Sequence, residues 1–113
     1  MKVVIADDDR IMRSRLVAEL SRIPGGCEVV AQCKDGSSAV EATLRLNPDI
    51  NLLDVVMSPM GGLTAGNILR DQGHKVILIT SMGQSGVIGD FPKLIKPYSP
   101  HQLALKLAEV MAQ

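Results

Sequence analysis

The chain has 113 residues, with 12 Lys plus Arg against 12 Asp plus Glu and an apolar fraction of 46%. One domain of this length can hide roughly two-thirds of its unfolded surface, and the charge balance leaves no net field to draw nucleic acid or an anionic membrane. With no Trp, one Phe and one Tyr, aliphatic side chains must fill the core, and base stacking on aromatic platforms is not expected.

Lys2–Ala6 reads as a short strand of buried character, after which Met12, Leu16, Leu20 and Ile23 recur at helical spacing until Pro24-Gly25-Gly26 stops the helix. Glu28–Cys33 is the second strand. Ser37 is expected to cap a second helix that carries Ala39, Val40, Thr43 and Leu44, and Asn47-Pro48 closes it. Ile50–Val55 is the third strand, Ile68 and Leu69 mark a third helix, and Lys75–Thr80 and Lys93–Ile95 are the fourth and fifth strands. Ser99 followed by Pro100 opens the last helix, whose buried face is Leu103, Leu107, Val110 and Met111. Apolar strands alternating with helical crossovers predict a parallel α/β sheet.

Residues 81–92 break the alternation. Gly83, Gly86 and Gly89 surround a lone apolar pair, Val87 and Ile88, so the fourth helix is predicted to be short or absent. No linker or repeat divides residues 1–113, which predicts a single domain. Val3–Ala6 is too short for a signal-peptide core and runs into three aspartates, which predicts a cytoplasmic protein. Cys27 and Cys33 lack Cys-x-x-Cys spacing and a neighbouring His, so both are expected to be reduced, structural thiols.

In an open parallel sheet the ligand site lies at the carboxyl ends of the strands. There the chain carries Asp7-Asp8-Asp9, Asp54, Thr80-Ser81 and Lys96-Pro97. Two carboxylates about 4 Å apart repel by about 4 kcal/mol at an effective dielectric near 20, so such a cluster calls for a cation. An acidic, oxygen-only set without thiol or imidazole suits Mg²⁺ better than zinc. A carboxylate can attack phosphorus, while a metal and an ammonium neutralise the transferring oxygens and a hydroxyl donates to one of them.

With these residues in this order, the sequence resembles the response-regulator receiver domains of two-component signalling. The resemblance covers nearly the whole chain and rests on Asp7, Asp8, Asp54, Thr80-Ser81 and Lys96-Pro97-Tyr98, with the stretches Asp35-Gly36-Ser37-Ser38-Ala39 and Asn47-Pro48-Asp49-Ile50-Asn51-Leu52-Leu53-Asp54. It implies a flavodoxin-like sheet of five parallel strands in order 2-1-3-4-5, with helices on both faces. It further implies that Asp54 is the phosphoacceptor and that Asp7, Asp8, Asp54 and the backbone carbonyl of Val56 hold Mg²⁺. Thr80 would bind a phosphoryl oxygen, and Lys96 would pair with the carboxylate before transfer and with the phosphoryl group after it. The Lys96–Pro97 bond is expected to be cis. The implied donor is a histidine kinase or histidine phosphotransferase, and the chain would be a signalling phosphoacceptor rather than an enzyme, acting on a downstream protein without touching nucleic acid or membrane.

Departures from the family pattern are as informative. Pro59 follows Ser58 where Met-Pro is usual, Gly61 stands where Asp is common while Gly62 still matches, and Lys93 occupies the position of the switch aromatic. The usual helical output surface is therefore expected to be missing, which predicts a monomer. Val56 and Met82, two positions beyond Asp54 and Thr80, predict slow self-dephosphorylation. Two other functions compete: a pseudo-receiver that binds a partner without phosphorylation, and a haloacid-dehalogenase-like phosphatase imitated by Asp7-x-Asp9, Thr80 and Lys96. Against the latter, only Glu109 is acidic beyond Lys96, and Ile11 stands where that class has Thr or Val.

Several residues also have plain readings. Asp9 is expected to be a solvated turn residue, and Lys93 an edge-strand charge that discourages sheet pairing. Arg10, Arg13, Arg15 and Arg22 would form either a solvated face or a docking face for an acidic kinase surface. Met57, Met60 and Met82 are expected to pack, and His74 and His101 are assigned no role.

Overall fold

The computed structural model describes residues 1–83 and 88–113. Its strands are β1 (Lys2–Ala6), β2 (Glu28–Cys33), β3 (Ile50–Asp54), β4 (Val76–Ser81) and β5 (Lys93–Lys96); its helices are α1 (Arg10–Ser21), α2 (Gly36–Leu46), α3 (Gly62–Asp71) and α4 (Pro100–Met111). Every strand pair is parallel and the sheet order is β2-β1-β3-β4-β5, as expected. Among the described residues no α-helix stands between β4 and β5, where Met82 and Gly83 take a 3-10 turn. Gly86 and Val87, two of the residues behind that expectation, lie outside the described residues.

Successive strand residues face opposite sides of the sheet, so near-continuous apolar strands serve two cores at once. On one face Val4, Leu53 and Leu78 meet Ala39 of α2 and Ala65 and Leu69 of α3. On the other, Val3, Ile5, Leu52 and Ile77 meet Leu16 and Leu20 of α1 and Leu103 and Leu107 of α4. All five residues of β3 are buried, because β3 has strands on both sides and helices on both faces. Among the described residues β5 pairs with β4 alone.

Helix ends follow local chemistry, with corrections. Asp9 is no mere turn residue: its side chain accepts from the backbone N–H groups of Ile11 (2.9 Å) and Met12 (3.3 Å) and caps α1. That helix stops at Ser21, ahead of Ile23 and the Pro24-Gly25-Gly26 turn, although Ile23 still packs on the core. The cap of α2 is Asp35 rather than Ser37, its carboxylate accepting from Ser38 N–H at 2.8 Å. The early start arises because Gly36 is docked on the loop after β3, with its N–H on the Met60 carbonyl at 2.8 Å. Leu44 is exposed, one helical step off the buried face of Ala39, Ala42 and Thr43. Asn47 ends α2 with φ +49°, a left-handed conformation that Asn tolerates. Ser99 and Gln102 form the capping box of α4. At the other end of that helix Lys75 Nζ donates to the carbonyls of Val110 (3.1 Å) and Met111 (3.4 Å), satisfying oxygens that the helix leaves without partners.

Candidate functional site

Parallel pairing brings the carboxyl ends of the strands to one edge, with Ala6 beside Leu53, Asp54 beside Ile79 and Ser81 beside Lys96. Asp7, Asp54, Thr80 and Lys96 therefore converge although up to 89 residues separate them in sequence. Asp54 uses both carboxylate oxygens: Oδ1 accepts from Val56 N–H at 3.2 Å and Oδ2 accepts from Lys96 Nζ at 2.9 Å. The Asp54 side chain is 9% exposed, and such a desolvated charge needs the ammonium and the N–H to stabilise it. The Lys96–Pro97 bond is cis, as expected, and so is Ser58–Pro59.

Asp7 is buried and held on three sides. Its Oδ1 accepts from Asp9 N–H at 2.8 Å, its carbonyl accepts from Arg13 Nη1 at 2.5 Å, and its own N–H donates to the Cys33 carbonyl at 3.0 Å. Burial, helped by the negative charge of Asp54, pushes the Asp7 carboxyl above the ordinary carboxylate range, against the Asp9 N–H and Lys96. Asp8, by contrast, is exposed. Thr80 is 1% exposed, and its hydroxyl donates to the Ser81 carbonyl at 3.2 Å.

Two glycines shape the floor of the site. A side chain at Gly62 would run into the Asp54 carbonyl group, and one at Gly61 would lie 2.8 Å from the Val55 carbonyl oxygen. The chain after β3 thus folds back too tightly for a Cβ at either position, so an Asp at 61 would not fit here. Arg13 was read from sequence only as part of a basic face, yet its guanidinium reaches back six residues to Asp7. Of the methionines expected to pack, Met57 lies in the core, Met60 is half-buried, and Met82 is 73% exposed, contrary to a packing role. Lys93 lies on the edge strand, half-buried. Beside Lys96 a cleft of about 320 Å³ is lined by Met12, Arg15, Glu19 and Tyr98, where burial and then the Glu19 charge push the Tyr98 phenol up to about 12.

No group of three or more His, Cys, Asp or Glu side chains forms a metal cage among the described residues. The carboxylates of Asp7 and Asp54 do fit a hard cation: they are buried, mutually repelling and oxygen-only. Mg²⁺ in particular is bound through one or two carboxylates while keeping several waters.

A family model described as the response regulator receiver domain matches residues 3–107. The chain belongs to this family. Over nearly its full length it is similar to the chemotaxis protein CheY of Thermotoga maritima, at 31% identity across 117 aligned residues covering 96% of this chain and 96% of that protein. It is 37% identical over 95 residues, 83% of the chain, to protein-glutamate methylesterase/protein-glutamine glutaminase 2 of Carboxydothermus hydrogenoformans, and the match spans 27% of that protein's length. Among solved structures, the receiver domain of AraT from Geobacillus stearothermophilus superposes with TM-score 0.84 at 30% identity, over 98% of this chain and 92% of that one. The signal receiver domain of NarL from Mycobacterium tuberculosis superposes with TM-score 0.85 at 26% identity, covering 98% and 95%. Among the described residues no helix is long and apolar enough to cross a membrane.

Proposed function

We propose that this receiver domain takes a phosphoryl group onto Asp54 from a histidine kinase or histidine phosphotransferase and presents the modified state to a downstream protein. The observation that carries the reading is the 2.9 Å contact between Lys96 Nζ and Asp54 Oδ2 at the strand edge where Asp7 is buried. A carboxylate oxygen of Asp54 attacks the phosphorus of a phosphohistidine; the P–N bond breaks, and its electron pair stays on the imidazole nitrogen, which takes up a proton. Lys96 then shifts its hydrogen bond from the carboxylate to a transferred oxygen, and the Thr80 hydroxyl turns from the Ser81 carbonyl to another.

Asp7, Asp8, Asp54 and the Val56 carbonyl would hold Mg²⁺. When bound, the ion neutralises charge on the transferring oxygens. The chain works in the cytoplasm as a monomeric phosphoacceptor, with no nucleic acid or membrane contact of its own. Its only chemistry is its own phosphorylation and a slow dephosphorylation, because Val56 is apolar and Met82 carries only a weakly accepting thioether, a poor holder for an attacking water.

The test is intact mass after incubation with phosphoramidate or acetyl phosphate and Mg²⁺. The wild type is expected to gain one phosphoryl mass and Asp54→Asn none. A wild type that stays unmodified while a control receiver domain is labelled sinks the proposal and leaves a binding module that does not use phosphorylation.

A further inference from the structure

Lys96 is held by a strand with little support of its own. β5 has four residues and one neighbouring strand, so its position must be fixed largely by what precedes and follows it. Just before it, Phe91 enters the core at 5% exposure and packs against α3 and β4. A side chain at Gly66 of α3 would lie 3.3 Å from Phe91 Cζ and 3.4 Å from Leu78 Cδ2. The absence of one at 66 lets the ring edge pack close against the helix. The next residue, Pro92, accepts from Leu78 N–H at 2.9 Å, two positions before Thr80 on β4.

Arg70 closes this arrangement from outside. Its guanidinium carbon lies 3.9 Å from the centroid of the Phe91 ring, Nη1 donates to Asp90 Oδ1 at 2.9 Å, and Nη2 donates to Asn67 Oδ1 at 3.2 Å. One side chain of α3 therefore grips two consecutive residues of the approach to β5, by cation–π attraction to the ring and by an ion pair to its neighbour. The Arg70 side chain is 44% exposed and that of Asp90 89%, so the grip is open to solvent and to screening by salt.

We infer that Arg70 is a positioning residue for Lys96: by clamping Asp90 and Phe91 to α3, it sets where β5 runs and hence where the ammonium meets Asp54. This rests on the role proposed for Lys96, but the contact can be observed without phosphorylation. Lysine labelled with ¹³C and ¹⁵N gives a side-chain NMR signal for Lys96, identified by its loss in Lys96→Arg, and phosphorylation by phosphoramidate is timed in parallel. Arg70→Met is expected to move the Lys96 signal and to slow phosphorylation roughly 3- to 100-fold, since small misplacements of a catalytic group cost that much. Its melting temperature should barely change. Arg70→Lys, which keeps a cation over the ring, should restore part of both, and Asp90→Asn should weaken both in the same direction. In a Phe91→Leu background Arg70→Met should add less than it does in the wild type, because the ring contact is already gone and only the Asp90 pair remains to be lost. An unmoved Lys96 signal in Arg70→Met overturns the inference. If the wild type accepts no phosphoryl group, the phosphoacceptor reading falls, while the Lys96 signal still decides the clamp.

Discussion

Replacing Asp7 by Asn should stabilise the metal-free protein at neutral pH. The Asp7 carboxyl is held above its ordinary 3.8 by burial first and then by the Asp54 charge, so its ionised form is disfavoured in the folded chain. Between the ordinary value and the raised one, the folded state binds more protons than the unfolded state, and stability falls as pH rises through that window. Above the window the full cost is present, and below the ordinary value there is none. Asn removes the charge yet keeps the oxygen that accepts from Asp9 N–H at 2.8 Å. Single stabilising substitutions are commonly worth about 0.5–2 kcal/mol. A chain of 113 residues unfolds with an entropy of roughly 0.24 kcal/mol/K, so the melting temperature should rise by about 2–8 °C. Thermal unfolding followed by circular dichroism in chelator, at pH ~7 and again at pH ~3.5, measures it. A lower melting temperature for Asp7→Asn at neutral pH, or a gain of equal size at both pH values, would refute the reasoning.

The buried polar link between α2 and β3 gives a second prediction. Thr43 Oγ1 donates to Asn51 Oδ1 at 2.6 Å and both residues are 0% exposed. Thr43→Val should therefore cost about 1–3 kcal/mol, or ~4–13 °C, by leaving the amide oxygen without a donor; Thr43→Ser, which keeps the hydroxyl, should lose less. The phosphorylated protein should be long-lived, and Val56→Asn should shorten its lifetime by offering an amide to an attacking water; rapid decay unchanged by that substitution counts against the idea. Static light scattering with a beryllofluoride mimic of the phosphoryl group should show a monomer throughout, and a doubling of mass would contradict it.

Much of the site was legible because parallel sheets obey a simple rule. Once β1, β3, β4 and β5 are recognised as buried strands, their carboxyl ends must share an edge, so Asp7, Asp54, Thr80 and Lys96 meet with no further information. The caps at Ser99 and Asn47 were equally readable, since they depend on backbone groups within a few residues. What tertiary structure alone decided are contacts between parts of the chain that have no local reason to meet. Asp35 displaced Ser37 as the cap of α2 because Gly36 is docked on Met60, 24 residues away. Leu44 went to solvent because the apolar face was set by which residues the sheet could reach. Arg13 looked like surface charge until the turn of α1 brought it to the Asp7 carbonyl, and Arg70 had no reason in sequence to find Phe91. Local patterning determines which segments become strands and helices, because hydrogen bonding and burial act within each of them. The partners of long polar side chains are determined by packing, because only the assembled sheet brings those distant segments within reach.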